Sequence, residues 1–240
     1  MNKIWIITKR ELQSYFDSLM AYILLILFLG FSGFFTWLYG SDIFFIKQAT
    51  LMPFFNIAYW TLFFFIPALT MRLLSEENRM GTIELLLTKP VSNWQVIVAK
   101  YLASLLLIFA AFVLTIPYII SVSSMGNLDL GQVFSGYLAL ILFSSMMIGI
   151  GLFTSSIGSN QIVSYLLALF IGIFFQVIFQ MLGQSMVGIG GHILDYLSTV
   201  SHFESMTRGV IDSRDVIFFA GITFLSLVFS EIMLIRKRFA

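Results

Sequence analysis

Between Asp129 and Asp195 the chain contains no Asp, Glu, Lys or Arg. A helix crosses the roughly 30 Å hydrocarbon core of a bilayer with about 20 apolar residues, so this stretch holds two crossings joined by a turn. Gly158-Ser159-Asn160-Gln161 supplies the turn, and Gly183-Gln184-Ser185 loosens the far end. The 240 residues are 59% hydrophobic and 10% charged, against about 25% charged in soluble domains. That leaves too little polar surface to cover a water-soluble fold. The expected fold class is all-α, a polytopic membrane protein with six transmembrane helices.

The six apolar runs are residues 19–39, 53–71, 101–124, 133–156, 162–182 and 216–235, with Pro117 expected to kink the third. Ahead of them, in residues 1–17, Ile4, Ile7, Leu12, Tyr15 and Phe16 recur near helical spacing, while Lys9, Arg10, Gln13 and Asp17 fall mostly on other faces. This reads as an amphipathic helix lying on the membrane surface. The first run exceeds the roughly 7–15 residues of a signal-peptide core and is expected to stay as an anchor. Residues 72–100 and 183–214 are the two substantial loops, and residues 1–240 read as one membrane domain.

An even number of crossings puts both ends on one side. If that side is cytoplasmic, Lys3, Lys9, Arg10, Arg72, Arg79, Lys89, Lys100, Arg236, Lys237 and Arg238 lie inside, and Lys47, Arg208 and Arg214 outside. Ten against three satisfies the positive-inside rule. The 72–100 loop is therefore expected in the cytoplasm and residues 183–214 on the outer face.

Several chemistries are excluded or disfavoured. A net charge of +1 creates no field for nucleic acid, and the absence of cysteine removes thiolate metal sites and thiol nucleophiles. Ion-coupled carriers place ionisable groups near the midplane. Here the one acid within a span is Glu231, near the cytoplasmic end beside Arg236, where a paired or snorkelling carboxylate is expected. No lysine follows a glycine, so the phosphate-binding G-x-x-x-x-G-K-[ST] loop is absent. His192 and His202 are too far apart for H-E-x-x-H; His192 with Asp195, or His202 with Glu204, would make at most a weak metal or acid–base pair. Ser144, Ser145 and Ser164, with Gly30, Gly33, Gly149 and Gly151, read as close helix packing, the glycines alternatively as the lining of a pathway.

The loop after the second run is too rich in helix signals to be a passive linker. Gly81 is placed to end a charged helical piece, Thr82 to cap a new helix, and Glu84 to sit near its positive end. Leu85, Leu86 and Leu87 supply an apolar surface before Pro90 stops the turn. Such a helix would either contact a soluble partner or rest on the bilayer.

Residues 76–92, E-E-N-R-M-G-T-I-E-L-L-L-T-K-P-V-S, resemble the signature loop of ABC-2 type permeases. Residues 201–216 resemble the approach to the last helix in the branch of gliding-motility permeases and the permease of nitrous-oxide reductase maturation. The resemblance implies a type V exporter-like fold with an interfacial leader helix, a cytoplasmic coupling helix and an outer re-entrant helical loop around residues 188–200. It also implies a permease subunit of the bacterial inner membrane, paired with a second permease as homo- or heterodimer and surrounded by membrane lipids. Catalysis, ATP and Mg would reside on separate ABC ATPase subunits, with no cofactor on this chain. Glu76, Glu77, Arg79, Gly81, Thr82, Glu84, Leu85, Leu86 and Pro90 would then be the ATPase-coupling residues. The alternative is a non-transporting mechanical or scaffold subunit of an ABC-type envelope complex, such as gliding machinery.

Overall fold

The computed structural model describes residues 3–38, 49–81, 91–186 and 188–239, with side chains through residue 237. The leader α1 (Lys3–Asp17) turns through Leu19, at φ 61°, into α2 (Met20–Trp37). α3 (Met52–Thr70) returns, with Pro53 in its first turn, where the missing N–H needs no partner. The stub α4 (Ser75–Met80) follows, closed by Gly81 in the left-handed region at φ 68°. α5 (Asn93–Val113) and α6 (Ile116–Met125) form the third crossing, and α7 (Leu130–Ile157) the fourth. α8 (Gln161–Ile173), a π turn (Phe174–Ile178) and α9 (Phe179–Ser185) form the fifth. Two short helices, α10 (Ile189–Tyr196) and α11 (Thr199–Thr207), precede the last crossing, α12 (Ser213–Phe239). Among the described residues there is no strand, and six helical segments are long and apolar enough to cross a membrane.

The starts of these helices follow local chemistry. Asp129 caps α7 by accepting from Gly131 N and Gln132 N, and Asn160 caps α8 by accepting from Ile162 N. Ser92 and Gln95 form a reciprocal capping box that starts α5 eight residues before the apolar run at residue 101, which takes Lys100 into the helix. The break expected at Pro117 falls just ahead of it. Pro117 occupies the first turn of α6, and Thr115 closes the preceding turn by donating to Phe112 O at 2.7 Å.

α7 is the mast of the bundle. It buries 72% of its most apolar stretch, against 28% for α2 and 22% for the fifth crossing, and packs on α3, α5, α8, α11 and α12. The small residues work as close-contact points at three of the four expected glycines. A Cβ on Gly151 would overlap the Thr70 hydroxyl, one on Gly149 would lie 3.3 Å from Thr223 O, and one on Gly33 would lie 2.8 Å from the Tyr118 hydroxyl oxygen. Gly30 differs: nothing lies within 4 Å of it, because it faces away from the bundle. Ser145 joins Tyr101 and Thr223 by hydrogen bonds, and Ser164 bonds back to Asn160 O. Glu231 is half-buried and, among the described residues, makes no ion pair with Arg236.

α11 packs against α7, α12 and the π turn. Its Phe203 stacks on Tyr59 of α3 at 4.3 Å, and Tyr59 lies 4.3 Å from Phe143 of α7. Thr199 Oγ1 donates to Phe175 O within the π turn at 2.9 Å. Gly151→Ala is expected to lower stability by about 1–3 kcal/mol through overpacking, whereas Gly30→Ala leaves it unchanged; thermal unfolding midpoints in detergent check both.

Candidate functional site

α1 docks on α5 through a polar stripe. Thr8, Glu11 and Tyr15 recur at intervals of three and four and so share one face. Thr8 Oγ1 donates to Ala99 O at 3.2 Å, Lys100 Nζ donates to Glu11 Oε2 at 3.2 Å, and Tyr15 shares a 2.8 Å hydrogen bond with Ser104. Trp5 and Ile6 stay exposed, an apolar edge suited to the headgroup boundary.

Lys100 is the decisive residue of this contact. It is 1% exposed, and its ammonium also donates to Glu77 Oε1 of α4 at 2.7 Å. A lone buried ammonium costs several kcal/mol of lost hydration, so it requires close carboxylates. Two carboxylates around one ammonium leave a negative excess, and Arg10, donating to Glu11 Oε1 at 2.7 Å, restores neutrality. Burial alone would raise the Glu11 carboxyl, but the charges of Lys100 and Arg10 outweigh it and hold the group below its ordinary value of 4.5. Burial pushes the Tyr15 phenol well above its ordinary 10, which keeps it a neutral hydrogen-bonding partner of Ser104.

The opposite side of α4 is fixed to α7. Ser155 Oγ accepts from Leu74 N and Ser75 N, both at 3.0 Å, and donates to Met71 O at 2.9 Å. Asn78 Nδ2 donates to Gly158 O at 3.1 Å. The stub is thus tied to the leader and to the second, third and fourth crossings together.

The loop residues singled out from the sequence divide between this junction and its surroundings. Glu77 belongs to the ion cluster, Glu76 is half-buried beside it, Arg79 is exposed and Gly81 ends the stub. Thr82, Glu84, Leu85, Leu86, Leu87 and Pro90 lie outside the described residues. Lys100, counted in the sequence only among the inside charges, and Glu11, not singled out there, complete the cluster. The capping-box signature Ser92-x-x-Gln95 is the signal that would have placed Lys100 two turns inside a helix.

The other candidate pairs are rearranged. His202 bonds Asp215 Oδ1 through Nδ1 at 2.6 Å and donates from Nε2 to Tyr196 O at 2.7 Å, while Glu204 faces Arg208 at 3.6 Å. His192 is exposed, and Asp195 accepts from Ser201 at 2.8 Å. Among the described residues no group of three or more His, Asp or Glu is arranged to hold a metal. The histidine instead clamps α10, α11 and α12, stacked on Phe218 at 4.1 Å.

The sequence profile described as ABC-2 family transporter protein matches residues 5–235, nearly the whole length, from the leader to the end of the last crossing. The chain belongs to the ABC-2 transporter family. It is accordingly a multi-pass membrane permease component of an ABC transporter, from a family whose membrane chains are typically non-catalytic and work with an ABC ATPase. A comparison with curated proteins found no match.

Lys100→Ala removes the buried counter-charge that Glu11 and Glu77 share and is expected to cost about 3–5 kcal/mol. The neutral triple replacement Glu11→Gln, Lys100→Met, Glu77→Gln is expected to regain most of that loss in thermal unfolding. Because the folded-state Glu11 carboxyl lies below 4.5, its contribution is full above that pH and is lost as pH falls through the folded-state value. The unfolding midpoint of Glu11→Gln is therefore expected to fall less steeply with acid than that of the wild type.

Proposed function

We propose that this chain is the membrane half of an ATP-driven exporter in the bacterial inner membrane, with both termini cytoplasmic and a second permease chain, identical or related, beside it. The observation that supports coupling most strongly is Lys100, buried between Glu11 of the leader and Glu77 of the stub that leads into residues 82–90. A separate ABC ATPase, carrying ATP and Mg, docks on the helix expected within residues 82–90. Thr82 and Glu84 form its polar contacts, Leu85 and Leu86 its apolar seat, and Pro90 its end, with Arg79 exposed at the rim. Gly81 ends the stub ahead of that helix. Glu77 then passes the movement through Lys100 to the leader and the third crossing, while Ser155 carries it to the fourth.

The mechanism is a population shift. ATP favours one arrangement of the ATPase pair, and the stub converts that preference into tilting of the crossings. On the other face, α10 and α11 close the pathway, held by the His202 clamp and the Tyr59–Phe203 stack.

The test is co-purification of the tagged chain, expressed with candidate ABC ATPases, in mild detergent. Wild type is expected to retain an ATPase, and Glu84→Arg to lose it while still inserting and folding. The neutral triple replacement of the ion cluster is expected to retain the ATPase but to lose transport-linked stimulation of its ATP hydrolysis. Retention with nucleotide-driven movement but no cargo in reconstituted vesicles would point to a mechanical subunit of an envelope complex, the role suggested by the resemblance of residues 201–216 to gliding-type permeases. Failure of any ATPase to bind wild type would contradict the exporter reading.

A further inference from the structure

Beside the ion cluster, a cavity of about 430 Å³ opens between α1 and α4, lined in part by Ser14, Ser18, Arg72, Glu76 and Lys100. Its size lies within the roughly 300–1,000 Å³ of small-molecule sites. Its charges fall into two groups. Lys100, Glu11, Glu77 and Arg10 neutralise one another through contacts of 2.7–3.2 Å. Arg72 and Glu76 remain, both half-buried, and neither makes an ion pair among the described residues. They stand four residues apart without closing on each other. Arg72 instead donates to the Ser18 hydroxyl at 2.5 Å. The cavity therefore offers one cationic and one anionic wall, each with bonding capacity to spare.

Its position is fixed by two chain reversals. Ser18 lies where the surface helix α1 turns into the first crossing, and Arg72 lies two residues beyond the end of α3. Both belong at the level where a bilayer carries its headgroups. From that point the turn residue Leu19 and then Tyr22, Ile23 and Ile26 of α2 are exposed, at 64%, 49%, 57% and 69%. Their spacing makes one continuous apolar strip running from the cavity into the hydrocarbon.

We propose that this cavity binds the headgroup of a zwitterionic aminophospholipid. The phosphate accepts hydrogen bonds from Arg72 and the Ser14 hydroxyl, the Ser18 hydroxyl proton being held by Tyr15 O at 3.2 Å; the primary ammonium donates to Glu76, and an acyl chain lies along the α2 strip. Arginine is suited to phosphate through its forked donors. An ammonium supplies N–H donors to the carboxylate, which a quaternary choline lacks. An anionic glycerol headgroup would leave Glu76 uncompensated beside a phosphate. The proposal assigns Glu76, expected from the resemblance to be among the ATPase-coupling residues, to the lipid, and it rests on the cavity and not on ATPase docking.

Native mass spectrometry of the delipidated full-length protein, titrated with phosphatidylethanolamine, phosphatidylcholine or phosphatidylglycerol of matched chains, tests it. The ethanolamine lipid is expected to bind about tenfold more tightly than the other two, the ratio set by one charge-assisted hydrogen bond. Glu76→Gln is expected to abolish that preference, Glu76→Asp to keep most of it, and Arg72→Gln to weaken all three lipids. The two Glu76 variants carry the test alone if Arg72→Gln fails to fold, as judged by gel filtration and circular dichroism. Equal binding of the three lipids by wild type, or an unchanged preference in Glu76→Gln, would overturn the proposal. So would soluble phosphoethanolamine binding as tightly as the lipid, which would make the occupant a free solute.

Discussion

A lysine ammonium without water needs carboxylates within hydrogen-bonding distance, and that requirement organises the leader face of this protein. Lys100 sits inside the third crossing, yet its partners come from two other elements, Glu11 on the leader and Glu77 on the stub. The ammonium thereby joins three elements at one point. The leader is consequently a structural member of the bundle, fixed by Thr8, Glu11 and Tyr15, with Trp5 and Ile6 left to meet the membrane surface.

The same face shows how a short helix is made rigid in a membrane protein, where apolar packing between helices gains little over contact with lipid. α4 has six residues, too few to hold a helix by itself. Ser155 binds both N–H groups at its start and the carbonyl of Met71, and Asn78 reaches Gly158 O. These bonds, with the close approach of Thr70 to Gly151, join the stub to α7, the most buried crossing. α7 thus carries the attached stub and also packs against α11 of the pair clamped by His202.

Much of this was legible in the sequence. The uncharged run between Asp129 and Asp195, broken at Gly158-Ser159-Asn160-Gln161, fixed two crossings and their turn, because charge exclusion by hydrocarbon is a strong and local signal. Gly81 ended its helix as its left-handed backbone preference requires. The ion cluster was not legible, for a physical reason: Lys100 and Glu77 flank apolar runs as ordinary interfacial charges do, and only tertiary packing buries them. His202 paired with Asp215 instead of Glu204, since Glu204 is two residues along the same helix and projects from a different face. Gly30 shows the converse, a small residue in the expected pattern whose helix face meets no neighbour.

In the proposed coupling, leader and stub move as one body around Lys100. The chain has no cysteine, so spin labels introduced through Gln13→Cys and Met80→Cys, at exposed positions on α1 and at the end of α4, report on that body when the labelled chain is diluted with unlabelled chain. Their distance distribution would be measured by pulsed electron paramagnetic resonance on the assembled complex, without nucleotide and with ATP trapped on the ATPase. The account predicts one narrow distribution, unchanged between the two states. A shift or broadening on ATP binding would show that the two elements part company, and would contradict a coupling path through Glu11, Lys100 and Glu77.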